Sequence, residues 1–319
     1  MKKKLVILLM VTSMVASIFG CSKDESSSAK YTVGICQFAQ HEALDAATKG
    51  FKDALKAELG DDVTFDEQNA NNESPACSTI INGFVSSNVD LILANATPAL
   101  QAAAAGTTEI PILGTSITNY EDALGLKDFK GTVGGNISGT SDLAPLDEQA
   151  AMIKEIFPNA KNIGLLYCSA EPNSFYQVKT IKGYLEDMGY TCTYYAFSDS
   201  NDISAITTSA AESSDVIYVP TDNTVASNKE LINNICLEAK VPVVAGEEGI
   251  ALGCGVVTLS MTYYDLGYAT GKMAAKILRD EADISTMPIE YAPNFVKKYN
   301  AKNCEELGIT VPEGYEALK

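Results

Sequence analysis

Polar side chains suited to gripping a small molecule recur in this sequence at one kind of place, just past short apolar runs. Gln37 and Phe38 follow YTVGIC, Thr97-Pro98 follows DLILANA, and Ser116-Ile117-Thr118 follows IPILGT. Later, Ser169, Glu171 and Asn173-Ser174 follow NIGLLYC, Asp222-Asn223-Thr224 follows DVIYVPT, and Glu247-Glu248 follows VPVVAG. Hydroxyls, amides and carboxylates presented together in this way suit hydrogen bonding to a small polar guest. Thr97-Pro98 and Asn173-Ser174 also read as helix starts, whose unpaired N–H groups attract an anion, a carboxylate being the natural one. Plain N-capping accounts for Thr97 and Ser174 equally well, and the two uses are compatible. Asp222 is the most pointed candidate: a carboxylate there can pair with a bound cation, the alternative being a turn or helix cap. Phe38 would give an apolar or aromatic wall, or else belong to the core.

Catalytic readings find little support. His41 is the single histidine, no G-x-S-x-G is present, and there is no cluster of His and Cys at metal-ligand spacing. GYATGK, from Gly267 to Lys272, has three residues between its glycines where a phosphate loop needs four, and reads better as helix. Adjacent acids such as Asp61-Asp62 are common in a chain this acidic, so they argue only weakly for acid–base work. No cofactor or metal is called for.

The elements that would position these residues come twice. YTVGIC leads into a helix with Leu44, Ala47, Phe51, Ala54 and Leu55 at three- and four-residue steps. About 130 residues later NIGLLYC leads into one with Phe175, Val178, Ile181 and Leu185. Glycine closes both helices, at Gly60 and Gly189, and a β-rich segment follows each. Then Asp90 to Ala94 is answered by Asp215 to Val219, and Ile110 to Gly114 by Val241 to Gly246. Continuous apolar runs separated by helical patterns are parallel strands covered on both faces. The expected fold is α/β, two Rossmann-like parallel-sheet lobes joined by a hinge, with the Gly-rich segment from Gly131 to Asp142 as a crossing. Ligands in such sheets collect outside the carboxyl ends of the strands, which is where the polar residues lie.

Length and charge agree. At 319 residues the chain exceeds one compact unit, and a net charge of −18 without a basic run past Lys4 excludes nucleic-acid binding. Beyond Cys21, seven cysteines remain, an odd number with no C-x-x-C pair, and they read as small buried hydrophobes.

The N-terminus has Lys2-Lys3-Lys4, an apolar stretch from Leu5 to Phe19, and Gly20-Cys21. It reads as a secretory signal over residues 1–20, and the ending Ile18-Phe19-Gly20-Cys21 resembles a bacterial lipobox with Cys21 as the lipidated residue. Residues 21–30, Ser-rich and charged, would be a flexible tether.

Gly34-Ile35-Cys36-Gln37 with His41, Ala96-Thr97-Pro98-Ala99 with Gln101, Gly135-Asn136-Ile137-Ser138-Gly139 with Ser141-Asp142, Glu171-Pro172-Asn173-Ser174 with Gln177, and Pro220-Thr221-Asp222-Asn223-Thr224 carry a further likeness. Together they resemble the family of ABC-transporter substrate-binding lipoproteins that includes tryptophan- and tyrosine-binding members, from about Val33 to Pro312. The resemblance implies a two-lobed periplasmic-binding-protein fold holding a small ligand, expected to be an aromatic amino acid, for delivery to a membrane permease. It carries Gln37, Thr97, Glu171 to Ser174 and Asp222 to Thr224 over as a binding edge. The sequence departs from the family pattern at Thr118-Asn119-Tyr120 and at Asn69 to Ser74, both near the expected cleft. A sensory module presenting ligand to a receptor, an exported enzyme of this fold, and a nucleoside or peptide as ligand are the alternatives.

The expected division is residues 31–144 plus 263–287 in the first lobe and 145–262 plus 288–319 in the second. The chain is expected to be a monomer held at the extracytoplasmic membrane face through Cys21. Cys21→Ser should move the protein from the membrane to the soluble fraction on cell fractionation; unchanged partitioning would sink the anchor.

Overall fold

The computed structural model describes residues 29–292 and 294–319; the segment expected to be a signal sequence, residues 1–20, and Cys21 lie outside the described residues. The first half runs β1 (Tyr31–Gln37), α1 (Glu42–Leu59), β2 (Val63–Asn69), α2 (Ser74–Ser87), β3 (Leu91–Asn95), α3 (Thr97–Gly106), β4 (Ile112–Ile117), α4 (Tyr120–Leu124) and β5 (Ile137–Ser141). The second runs α5 (Leu146–Ile156), β6 (Asn162–Cys168), α6 (Pro172–Asp187), β7 (Thr191–Phe197), α7 (Ile203–Ser213), β8 (Val216–Val219), α8 (Asn223–Ser227), α9 (Lys229–Ala239), β9 (Val243–Ala245), α10 (Glu248–Gly253) and β10 (Val257–Ser260). Then follow α11 (Tyr263–Leu278), β11 (Glu290–Tyr291), β12 (Val296–Tyr299), α12 (Ala301–Leu307) and β13 (Glu316–Ala317).

The internal echo becomes an identity of topology. One sheet has the order β11-β5-β4-β3-β1-β2 and the other β13-β12-β10-β9-β8-β6-β7, so both contain the doubly wound order 2-1-3-4-5 in equivalent strands. All pairings are parallel except β10 with β12. Burial on both faces explains the unbroken apolar strands: every residue of β3 and of β8 is buried. Helices present one apolar stripe to the sheets, Ala47, Phe51, Ala54 and Leu55 in α1, and Val178, Ile181 and Leu185 in α6. Phe175, expected on that second stripe, is instead 45 % exposed, its ring standing beside Tyr167 of β6 and Tyr194 of β7 at the open side of the helix. All seven cysteines in the described residues are buried and unpaired.

The chain passes between sheets three times, after β5, after β10 and after β11. The third passage corrects the expected division. Residues 288–292 were placed with the second lobe, but Glu290–Tyr291 pairs with Thr140 and Ser141 of β5 in the first sheet. Two exposed residues give β11 no apolar signature, so only backbone pairing reveals its allegiance.

Helix α11 lies against α1 at glycine contacts. A Cβ on Gly267 would stand 1.9 Å from the Ala47 carbonyl oxygen, and one on Gly50 2.1 Å from that of Tyr264. No side chain can yield there, because the obstacle is backbone. Gly267→Ala should therefore prise the helices apart and cost about 2 kcal/mol or more of stability in urea denaturation; a midpoint and slope equal to wild type would contradict this packing.

Candidate functional site

The carboxyl ends of β1, β3 and β4 face those of β6, β8 and β9 across a narrow cleft. A cavity of about 20 Å3 there, roughly a water's worth of space, is lined by His41, Ala43, Leu44, Ser116, Thr118 and Asp142 on one side. Asn173, Thr221, Asp222, Asn223, Ala226 and Glu247 line the other, with Tyr263 at the neck. A larger cavity of about 620 Å3 lies behind the neck, around Met261, Leu266 and Tyr291. Of the strand-tip residues singled out from sequence it takes only Glu248, so the cleft remains the candidate site.

Five expected residues line the cleft cavity: Ser116, Asn173, Asp222, Asn223 and Glu247. Others are turned elsewhere. Gln37 donates to Ala39 O (2.8 Å) and Asp45 Oδ1 (2.6 Å) and accepts from Thr48 Oγ1 (2.6 Å), so its amide is consumed beside α1. Ser169 is exposed and donates to Phe197 O. Phe38 is buried in the first lobe's core with Ala39, Ala70 and Ala96. Thr97, Glu171, Ser174 and Thr224 are buried just behind the lining. Thr118 and Thr221, which stand past the same strands as Ser116 and Asp222, line the cavity as well, while sequence reasoning left His41, Asp142 and Tyr263 out of the site. Asp142 directly follows β5, a Gly-containing crossing at which no tip was singled out, Tyr263 begins α11, and Tyr263 Oη donates to Asp142 Oδ2 at 2.8 Å.

In the second lobe Glu171 is the centre of a buried network. Its Oε2 accepts from Asn223 N (3.0 Å), Asn223 Nδ2 (2.6 Å) and Asn173 Nδ2 (3.2 Å), and its Oε1 from Thr224 N (2.9 Å) and Thr224 Oγ1 (2.8 Å). The start of α8 is thus already saturated by a carboxylate of the protein itself. Asp222 caps the same helix, accepting from Val225 N (2.8 Å) through Oδ1, and reaches Cys168 N (2.7 Å) through Oδ2. The cap reading of Asp222 is therefore realised, while each oxygen keeps a second acceptor site. Asn173 Oδ1 beside it finds no partner among the described residues.

The first lobe is arranged the opposite way. Helix α3 begins after Ala96, whose side chain cannot cap, and no side chain caps its first N–H groups. Thr97 Oγ1 and Ser116 Oγ are buried without partners among the described residues. Backbone strain marks the same two places. Ala96 has φ 86° and ψ 157°, a region nearly reserved for glycine, and Ser116 has φ 57° at an irregularity in the β4–β5 register.

Contacts cross the cleft directly. His41 Nε2 lies 3.1 Å from Asn223 Oδ1, Asn72 Nδ2 donates to Thr224 Oγ1 at 3.3 Å, Gln177 Nε2 to Thr118 Oγ1 at 3.3 Å, and Lys229 ion-pairs with Glu42. Burial dominates the electrostatics. It pushes the Asp142 carboxyl up despite its two hydroxyl donors, raises Asp222 with help from neighbouring Glu171, and raises Glu247 to about 7. The imidazole of His41 is pushed down by burial, against its bond to Asn223 and nearby carboxylates. A guest carrying positive charge would relieve this crowd of acids.

Two α/β lobes with opposed strand tips, strained backbone at those tips and buried polar groups awaiting partners define a cleft-type solute-binding protein. Residues 32–317 match the family of ABC transporter substrate-binding proteins, and the chain belongs to that family, whose members bind solutes without transforming them. It is similar to a tyrosine-binding protein of Clostridioides difficile, 33% identical over 304 residues that cover 90% of this chain and 88% of the relative. Among solved structures, it is 34% identical to a Streptococcus pneumonia ABC domain in complex with L-Trp, at a TM-score of 0.84 and covering 89% and 96% of the two chains. A ligand-free, open substrate-binding protein with adhesive properties from Clostridium difficile is 36% identical, covering 91% and 99%, yet gives a TM-score of only 0.69. At similar identity, this chain superposes less well on that open form than on the L-Trp complex.

The raised Glu247 carboxyl makes a testable link to stability. A carboxyl harder to ionise when folded than when unfolded favours folding fully below about pH 4, near its ordinary value. That contribution is lost as pH rises through about 7. The thermal midpoint should fall between about pH 5 and pH 8 less steeply in Glu247→Gln than in wild type; parallel profiles would show that the buried carboxyl carries no such penalty.

Proposed function

We propose that the protein is the lipid-anchored, extracytoplasmic receptor of an ABC importer, a monomer that closes around an aromatic amino acid and presents it to membrane permease subunits. The observation that carries this is the division of donors and acceptors across the cleft. Its lining includes Asp142, Asp222, Glu247 and the free Asn173 Oδ1 but no lysine or arginine among the described residues. Across from them Ser116 brings an unpartnered hydroxyl to the lining, with the uncapped start of α3 and the unpartnered Thr97 hydroxyl behind it. A zwitterion fits both halves: its carboxylate at Thr97, Ser116 and the α3 N–H groups, its ammonium toward Asp222 and Asn173. An anionic guest without an ammonium leaves the acids unanswered.

Ala43, Leu44, Ala226 and the ring of Tyr263 supply the apolar part of the lining, and the relatives named for tyrosine and bound to L-Trp support an aromatic side chain. Closure is the signal: contacts from both lobes coexist only when the gap is shut, so a ligand that completes them shifts the population toward the closed form. No helix among the described residues is long and apolar enough to cross a membrane, in keeping with attachment through lipid at Cys21.

Calorimetry with L-tryptophan, L-tyrosine and L-phenylalanine, set beside indole-3-propionic acid, tests the assignment. At least one amino acid should bind, and the analogue lacking the ammonium should bind more weakly by about 2 kcal/mol. Asp222→Asn should weaken the amino acid by a similar amount. Equal affinity for the analogue, or no binding of any of the three amino acids, overturns the reading.

A further inference from the structure

Lys229 breaks a local rule. It is the first residue of α9, where exposed N–H groups carry partial positive charge and a cation is disfavoured. Residues that offend their own helix tend to answer to something outside it. Its stem lies on Gly253, where a Cβ would stand 2.2 Å from Lys229 Cδ, so only glycine leaves it room. The side chain is 16% exposed, and its ammonium pairs with Glu42 at the start of α1 in the opposite lobe. Glu42 is well placed for its own helix, in the first turn. The pair stands at the cleft edge where His41 meets Asn223 and Asn72 meets Thr224, and Glu42 itself is outside the lining of the cavity.

We infer that Lys229 is a positioning residue for closure: its ion pair with Glu42, made only when the lobes meet, holds the shut form and slows the escape of the guest. The inference rests on the binding role proposed above for its ligand readout alone. A rival role for Lys229 is internal to its own lobe, where its charge also acts on the nearby Glu247.

The chain has no tryptophan, so the fluorescence of L-tryptophan reports its own release in stopped flow. Lys229→Met should speed dissociation about fivefold, leave association unchanged, and abolish the salt dependence of the dissociation rate. Lys229→Arg should retain the wild-type rate, and Lys229→Met with Glu42→Gln should be no faster than either change alone. Without ligand, pulsed EPR distances between nitroxides at Ser87→Cys and Glu212→Cys, both exposed positions in opposite lobes, should lengthen on Lys229→Met. Dissociation and distances like wild type overturn the latch, as does a silent Glu42→Gln beside an active Lys229→Met, which would assign Lys229 to Glu247. If wild type does not bind L-tryptophan, the distance measurement alone decides: lengthening upholds the latch, and no change overturns it.

Discussion

Glu171 decides the polarity of the cleft. A helix start facing a crevice attracts an anion, and both lobes have helix starts at the cleft, α3 in the first and α6, α8 and α10 in the second. In the second lobe a carboxylate of the protein itself fills the start of α8, held by both backbone N–H groups and both side chains of Asn223 and Thr224. No second anion can settle there, and what remains exposed on that side is a set of acceptors. In the first lobe nothing fills the start of α3, and the donors stay free. Two halves built to one topology are thereby made chemically opposite, and a ligand with separated charges has a single sensible orientation between them.

Strain and closure reinforce this division. Ala96 and Ser116 adopt positive φ at the tips of adjacent strands, a conformation that neither residue type favours and that is maintained by the surrounding sheet. It accompanies the placing of Ser116 in the lining of the gap and an α3 start that no side chain caps. The acids opposite are held in surroundings that resist their ionisation. Both halves of the cleft are thus kept in arrangements that a guest relaxes.

Much of the fold is legible in the sequence because its strands are buried on both faces and therefore appear as uninterrupted apolar words, each repeated about 130 residues later. The lobe to which β11 belongs escapes that reading, because the strand is two exposed residues long and its membership is written only in backbone pairing. The site is half legible. Strand tips do hold Ser116, Asn173, Asp222, Asn223 and Glu247 in the lining. The rule fails for Gln37 and Ser169, since side chains alternate along a strand and position past its end does not say which way an amide or hydroxyl turns. Asp142 escapes it because β5 before it is a polar, Gly-containing strand and not an apolar word, and Tyr263 because the neck that joins the two is assembled from segments over a hundred residues apart. The one available cue was Ser141-Asp142 closing a Gly-rich segment, a carboxylate where the chain changes lobes.

The glycine seam between α1 and α11 has a mechanical consequence. With backbone of one helix seated on backbone of the other, the pair acts as a stiff beam running from the neck to the cleft wall, since α11 begins at Tyr263 and α1 carries Ala43 and Leu44. Such a beam has little side-chain cushion through which to bend. The swing that admits a solute must then be a rotation of the other lobe about the strands of the neck, with this wall as the fixed jaw.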